Sequence, residues 1–243
     1  MSPPPSFHET VTVFAPKGTH PNDPVEVIRD PLQTRPLSLK NTDNKIIVAA
    51  NVRKLEPQYQ KLAHVTQNGF TKERNFLNNC VDLDAAARIF SMVFEAICGF
   101  PLDPSNLPLL CAFDFEAAFP SVIHCWIWLV LKIRRLPDHY IYLFQGIYSK
   151  ASATFHHEGK SYTIIEFLSG VLQGCPGSAF LFNNALDPIL CMIHSILRER
   201  NRGIVRACAD DIGMCLARLR HLQLIYPIFS AALKHAGLKT QAC

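Results

Sequence analysis

Nine cysteines are present, yet no two stand three residues apart, so the chain has no Cys-x-x-Cys knuckle and no zinc framework. Most lie among apolar neighbours, as in Leu110-Cys111-Ala112, where a cysteine behaves as a small core hydrophobe. An odd number without a spacing pattern suits a reducing, intracellular compartment. The segment Met1 to Lys17 has no apolar stretch of the kind a secretory signal needs. The longest apolar run, Val122 to Ile133, is broken by His124 and Lys132 and is too short to span a bilayer, so no membrane partner is expected. There is no internal repeat. A strong excess of one charge is missing as well. The net charge of +4 neither requires nor excludes a nucleic-acid partner. Six arginines between Arg198 and Arg220 read most simply as a solvated helix end and loop.

What the chain does have is an apolar content of 49% over 243 residues, enough for a sizeable core in one large or two small domains. Seven of the 17 prolines fall in residues 1–33, and this stretch reads as an extended, poorly ordered leader. Helical periodicity covers 45–62 and again 79–97, the second with Asn79 as its cap and Asp82 and Asp84 in its first turn. A buried strand is expected over 107–113, helices over 121–135 and 138–149, and a hairpin of 153–155 with 162–167 turning at Gly159. A Gly/Pro-rich loop, Ser169 to Ser178, opens a long helix to about Arg198. Two short strands, 203–208 and 212–216, enclose Ala209-Asp210-Asp211, and a last helix from 219 to 235 stops at Gly237. Helices and strands mix without regular alternation, which points to an α+β layer of helices on a small antiparallel sheet.

Three local features bear on chemistry. Asp210 and Asp211 sit between two apolar half-strands, where adjacent carboxylates repel unless a cation joins them. Mg²⁺ takes hard oxygen ligands and fits such a place. An exposed polar turn would explain the same pair. Asp114 ends an apolar strand, where its carboxylate can point into a cleft or cap a helix starting near Glu116. The loop Ser169-Gly170-Val171-Leu172-Gln173-Gly174-Cys175-Pro176-Gly177-Ser178 lets backbone approach a ligand closely, and the helix N-terminus behind it favours anions. Each alone is weak; their order is specific.

In that order the chain resembles reverse transcriptases, most closely those of non-LTR (LINE-like) retrotransposons. "FDFEAAFPSV" is similar to motif A, "GVLQGCPGSAFLFN" to motif B, "ACADDIGM" to motif C and "ALKHAGLKT" to motif D. "RPLSLKNTDNKIIVAANVRKL" and "QNGFTKER" resemble the finger motifs. The resemblance implies a polymerase palm over 107–243, with a fingers-like segment over 34–106. It implies RNA-directed DNA polymerase chemistry with two Mg²⁺ ions (Mn²⁺ as a possible substitute). Their ligands would be the carboxylates of Asp114, Asp210 and Asp211 and the backbone carbonyl of Phe115, with Asp210 the firmer of the adjacent pair. An RNA template, a DNA primer and dNTPs are the implied partners.

Phe119, five residues after Asp114, matches the ring that crowds a ribose 2′-hydroxyl. Gln173 and Gly174 match the nucleotide-pocket positions, and Arg35 and Lys45 the basic finger positions that clamp a triphosphate. Arg74 matches a template or fold-support position, and Lys239 a pyrophosphate-side general acid. Two residues depart from the family pattern: Cys208 stands where an aromatic is usual, and Leu172 where a basic residue is common. The chain ends at Cys243, just after the motif D segment, so a primer-grip hairpin and thumb are expected to be absent. A polymerase-like RNA-binding fragment that does not extend a primer, an inert remnant and a group II intron maturase-like enzyme are the alternatives.

Overall fold

The structure, a computed structural model, describes residues 7–18, 29–30, 33–97 and 103–242. Two four-stranded sheets organise it. The first has the order β2-β1-β4-β5, built from β1 (Glu9–Pro16), β2 (Thr34–Lys40), β4 (Ser152–His157) and β5 (Lys160–Glu166). The second has the order β6-β7-β3-β8, from β3 (Leu109–Phe115), β6 (Gly203–Cys208), β7 (Asp211–Leu216) and β8 (Thr240–Ala242), all antiparallel. The helices are α1 (Thr42–Leu62), α2 (Phe76–Ile97), α3 (Ala118–Ser121), α4 (His124–Ile133), α5 (Asp138–Tyr148), α6 (Ser178–Arg198) and α7 (Leu222–Ala231). The α+β class expected from the sequence is the one observed.

The second sheet is a layer between helices. Along β6, Gly203, Val205 and Ala207 are buried and alternate with half-buried Ile204, Arg206 and Cys208. Val205 lies opposite Met214 and Ala207 opposite Ile212, and these four are closed to solvent with α6 and α7 on their side. On the opposite face lies α2, so close that a Cβ at Gly213 would come 2.6 Å from Leu83 Cδ1. From the strand side, Arg206 reaches Asp82 of that helix at 2.7 Å.

Helix α6 carries the core. Leu181, Phe182, Ala185, Leu186, Leu190, Ile193 and Leu197 are fully buried, because β6, α4 and α7 surround it. With the turn that follows, Ser178–Asn201 is long and apolar enough to cross a membrane, but those apolar side chains are buried within the fold.

Three expectations are corrected. Within the stretch read as a poorly ordered leader, Glu9–Pro16 is a strand, antiparallel to β2 and parallel to β4. The alternation Thr10-Val11-Thr12-Val13 is its local signal, obscured by the prolines around it; residues 1–6, 19–28 and 31–32 of that stretch lie outside the described residues. A cut at 106/107 does not separate the sheets either, since the 152–166 hairpin joins the strands of residues 9–40. Finally, Asn79 does not cap α2. The Asn75 Oδ1 accepts from Leu77 N at 2.9 Å and starts the helix three residues earlier. Asn79 is buried inside, donating to Ala207 O at 3.0 Å and accepting from Asn68 at 2.6 Å.

Candidate active site

The β6–β7 pairing runs to Cys208↔Asp211, leaving Ala209 and Asp210 as the two residues of the turn. Strand β3 pairs with β7 as far as Phe113↔Ile212, and one further step along that register brings Asp114 beside Asp211. Alternation puts Asp114 on the same face as exposed Leu110 and Ala112, while the buried Phe115 ring anchors the strand end against Phe229. Helix capping by Asp114 is not what is seen. It lies within β3, and α3 begins after Ala117 with no side-chain cap.

Burial, then the neighbouring charges of Asp211 and Asp114, push the Asp210 carboxyl above the usual carboxylate range. The Cys208 thiol is pushed up by burial and then by the charges of Asp211 and Asp210. None of the ion pairs among the described residues engages Asp114, Asp210 or Asp211. The turn therefore gathers negative charge without a compensating side chain, which is the condition a hard divalent cation relieves. Among the described residues no group of three or more His, Cys, Asp or Glu side chains is placed to hold a metal ion. Mg²⁺ is usually held by only one or two carboxylates plus water and substrate phosphates.

Around this turn the structure assembles several of the positions singled out in the sequence. The Phe119 ring stacks on Phe182, with centroids 4.5 Å apart and 14° between planes, and meets Phe70 edge-on at 6.4 Å. The loop 169–178 docks between α3 and β2. Val171 N donates to Phe119 O at 2.7 Å, and Ser38 N donates to Gln173 O at 2.8 Å. Gly174 has φ +104°, and a Cβ there would meet Ser38 O at 2.8 Å, so both the conformation and the close approach require glycine. Leu172 is buried in the core and does not face out as a basic residue would.

Among the described residues the basic positions make no ion pair with the acidic turn. Arg35 is exposed near the start of β2 and Lys45 half-buried in the first turn of α1, neither paired with the aspartates. Lys239 Nζ pairs with Glu116 at 2.6 Å, and this contact lowers the Glu116 carboxyl. Glu116 N also donates to Lys239 O at 2.8 Å, holding the motif D segment beside the end of β3. Arg74 donates to the carbonyls of Ala63, His64 and Gln67, so it supports the loop. Sequence reasoning passed over Phe70, Phe182 and Gln67. The first and last lie in the "QNGF" segment, which was the available signal.

A model of the family described as reverse transcriptase (RNA-dependent DNA polymerase) matches residues 22–242, nearly the whole chain. The chain belongs to the reverse transcriptase family. One relative of this reverse transcriptase is the "Transposon TX1 uncharacterized 149 kDa protein" of Xenopus laevis, 24% identical over 210 residues, covering 82% of this chain and 15% of that protein. A transposon relative agrees with the retrotransposon resemblance of the motifs. Among solved structures, apo telomerase from Candida tropicalis has a TM-score of 0.67 at 11% identity, covering all of this chain and 46% of that one. Telomerase from the same species in complex with the TWJ fragment of telomeric RNA has a TM-score of 0.65 at 10% identity, covering 98% and 41%. At such identities the likeness shows the fold alone, an α+β polymerase fold with helices on antiparallel strands. The chain spans less than half the length of these relatives.

Proposed function

We propose that this chain supplies the catalytic palm of a retrotransposon RNA-directed DNA polymerase, adding dNTPs to a DNA primer on an RNA template. The observation that carries it is the strand register that brings Asp114 beside Asp211 and the Asp210 turn, with no ion pair to any of the three among the described residues. Asp114, Asp210 and Asp211, with the Phe115 carbonyl, would hold two Mg²⁺ ions (or Mn²⁺). Once bound, these ions supply activation of the primer hydroxyl and neutralisation of the triphosphate. The protein contributes position and charge. Arg35 and Lys45 bind the triphosphate from the N-terminal side. Gln173 and Gly174 shape the nucleotide pocket on a loop tethered to β2. Lys239, when it leaves Glu116, donates a proton to the departing pyrophosphate. An intracellular setting is part of the same reading, supported by the seven free cysteines among the described residues.

The test is primer extension by the full chain on a primed RNA template with Mg²⁺. Incorporation that EDTA abolishes and fresh Mg²⁺ restores is expected. Salt-sensitive RNA binding with no incorporation under any divalent ion would instead make the chain a binding module.

The Phe119 ring adds a prediction about substrate choice. Stacking on Phe182 favours one orientation of the ring, in which it would crowd a 2′-hydroxyl. Phe119→Val is expected to raise ribonucleotide use relative to deoxynucleotide use by roughly 10–200-fold, the range a single steric group commands. Competing rNTP and dNTP in one extension assay reads the ratio directly, and an unchanged ratio would show the ring to be a core residue.

A further inference from the structure

The turn that presents Asp210 is unusual in its own backbone. Ala209 has φ +57°, a left-handed conformation that is unfavourable for an L-residue and that glycine normally occupies. Something must hold it there, and one side chain from elsewhere in the chain does. Gln67 is completely buried, and its carboxamide grips both polar groups of Ala209. Ala209 N donates to Gln67 Oε1 at 2.9 Å, and Gln67 Nε2 donates to Ala209 O at 3.1 Å. The same Oε1 also accepts from Gly69 N at 2.8 Å. Two backbone N–H groups aimed at one atom require an oxygen, which settles the orientation of the amide.

The grip is itself braced. Arg74 Nη1 donates to Gln67 O at 2.8 Å, and Asn183 Nδ2 of α6 donates to Gly69 O at 2.8 Å. Asn68 N donates to Ala207 O at 2.9 Å and Ala207 N to Thr66 O at 2.8 Å, so residues 66–68 run as a short parallel bridge along the end of β6. Gly69 lies so close that a Cβ would fall 2.1 Å from Ala209 N.

We infer that Gln67 is a positioning residue: it fixes the Ala209–Asp210 peptide and thereby aims the Asp210 carboxylate at the cation. The inference rests on the metal-binding reading of Asp210 given above. Supporting groups behind a metal ligand typically govern about 10–100-fold in affinity. A merely structural role would predict something else, a loss of stability shared by any buried amide of this loop. Asn79 is the comparator. It is likewise buried and hydrogen-bonded to β6, but at Ala207 O, two residues before the turn residue Gln67 holds.

The experiment is Mn²⁺ titration of the full chain without nucleic acid or nucleotide, followed by electron paramagnetic resonance, with circular dichroism to confirm folding. Gln67→Leu is expected to weaken Mn²⁺ binding at least about tenfold, while Asn79→Ala changes it less than about twofold. Equal weakening by both, or by neither, overturns the assignment. Gln67→Glu provides a second arm should the leucine variant not fold. It keeps the acceptor for Ala209 N and Gly69 N, loses the donor to Ala209 O and adds a negative charge. Charge alone would tighten Mn²⁺ binding; loss of position weakens it. Weaker binding at neutral pH is expected, and tighter or equal binding overturns the inference. If the wild-type chain binds Mn²⁺ no better than Asp210→Ala, the metal-binding reading beneath fails, and that result is distinct from wild-type binding that the Gln67 variants leave unchanged.

Discussion

Asp210→Asn is expected to cripple primer extension, lowering the rate by about 10²–10³-fold, while raising the melting temperature of the chain. The substitution changes almost no volume and takes away one charge. As a proposed metal ligand, Asp210 supplies negative charge where electrostatic positioning is the principal catalytic effect, and single preorganised groups of that kind are worth about 10²–10³ or more in rate. The stability change has the opposite sign. Burial first, and then the charges of Asp211 and Asp114, raise the Asp210 carboxyl in the folded state, so its ionisation opposes folding. A raised carboxyl carries no penalty below its unfolded pKa and a growing one as pH rises through the folded value. The stability advantage of the asparagine variant should therefore be smallest in acid and largest at neutral pH. Thermal melts across that range, without divalent ions, read it. Asp210→Ala should cripple extension equally, and undiminished activity in either variant would remove Asp210 from the site.

Arg134→Met is expected to destabilise the chain by about 3–5 kcal/mol, the cost of leaving one member of a buried ion pair alone. Asp187 of α6 is fully buried, and Arg134 at the end of α4 is its charged partner, with a second hydrogen bond to Asn184 Oδ1 at 2.8 Å. Asp187 also accepts from His64 N at 3.0 Å, so the pair ties α4 and α6 to the loop that leads into residues 66–69. Urea unfolding should show the midpoint falling sharply with little change in slope. The double variant Arg134→Met with Asp187→Leu is expected to recover part of the loss, since an apolar pair no longer buries a lone charge. A midpoint unchanged in the single variant would mean that water reaches Asp187 in its place.

The palm was legible because its signals are local. Two apolar half-strands around Asp210 and Asp211 specify a hairpin, and the long apolar run after Gly177 specifies α6. The acidic site was expected from the order of motifs, not from any one aspartate, and strand register brings Asp114 beside Asp211. What could not be read is what depends on distant partners. β8 is three residues, Thr240–Ala242, with no pattern of its own, and exists because β3 offers it an edge. Asn79 resembles a helix cap in sequence, but Ala207, 128 residues later, claims its amide. Gln67 stands in the QNGF segment, which marks the loop, but its grip on Ala209, 142 residues later, leaves no trace in the sequence around it. Propensity and periodicity carry no information about such pairings, which are fixed only when the whole core closes.

The parallel pairing of β1 with β4 has a consequence for how the chain is made. Thr10 cannot meet the Ser152 carbonyl, 142 residues away, until the hairpin that carries it has left the ribosome. At about 5–20 residues per second that takes roughly 7–30 s, and throughout it one edge of β1 is an open template for pairing. Val11, Val13 and Phe14 on that strand remain substantially exposed even in the finished fold. The nascent β1–β2 ribbon thus needs shelter during synthesis, and crowded translation of many copies side by side is the circumstance in which it would pair with the wrong neighbour.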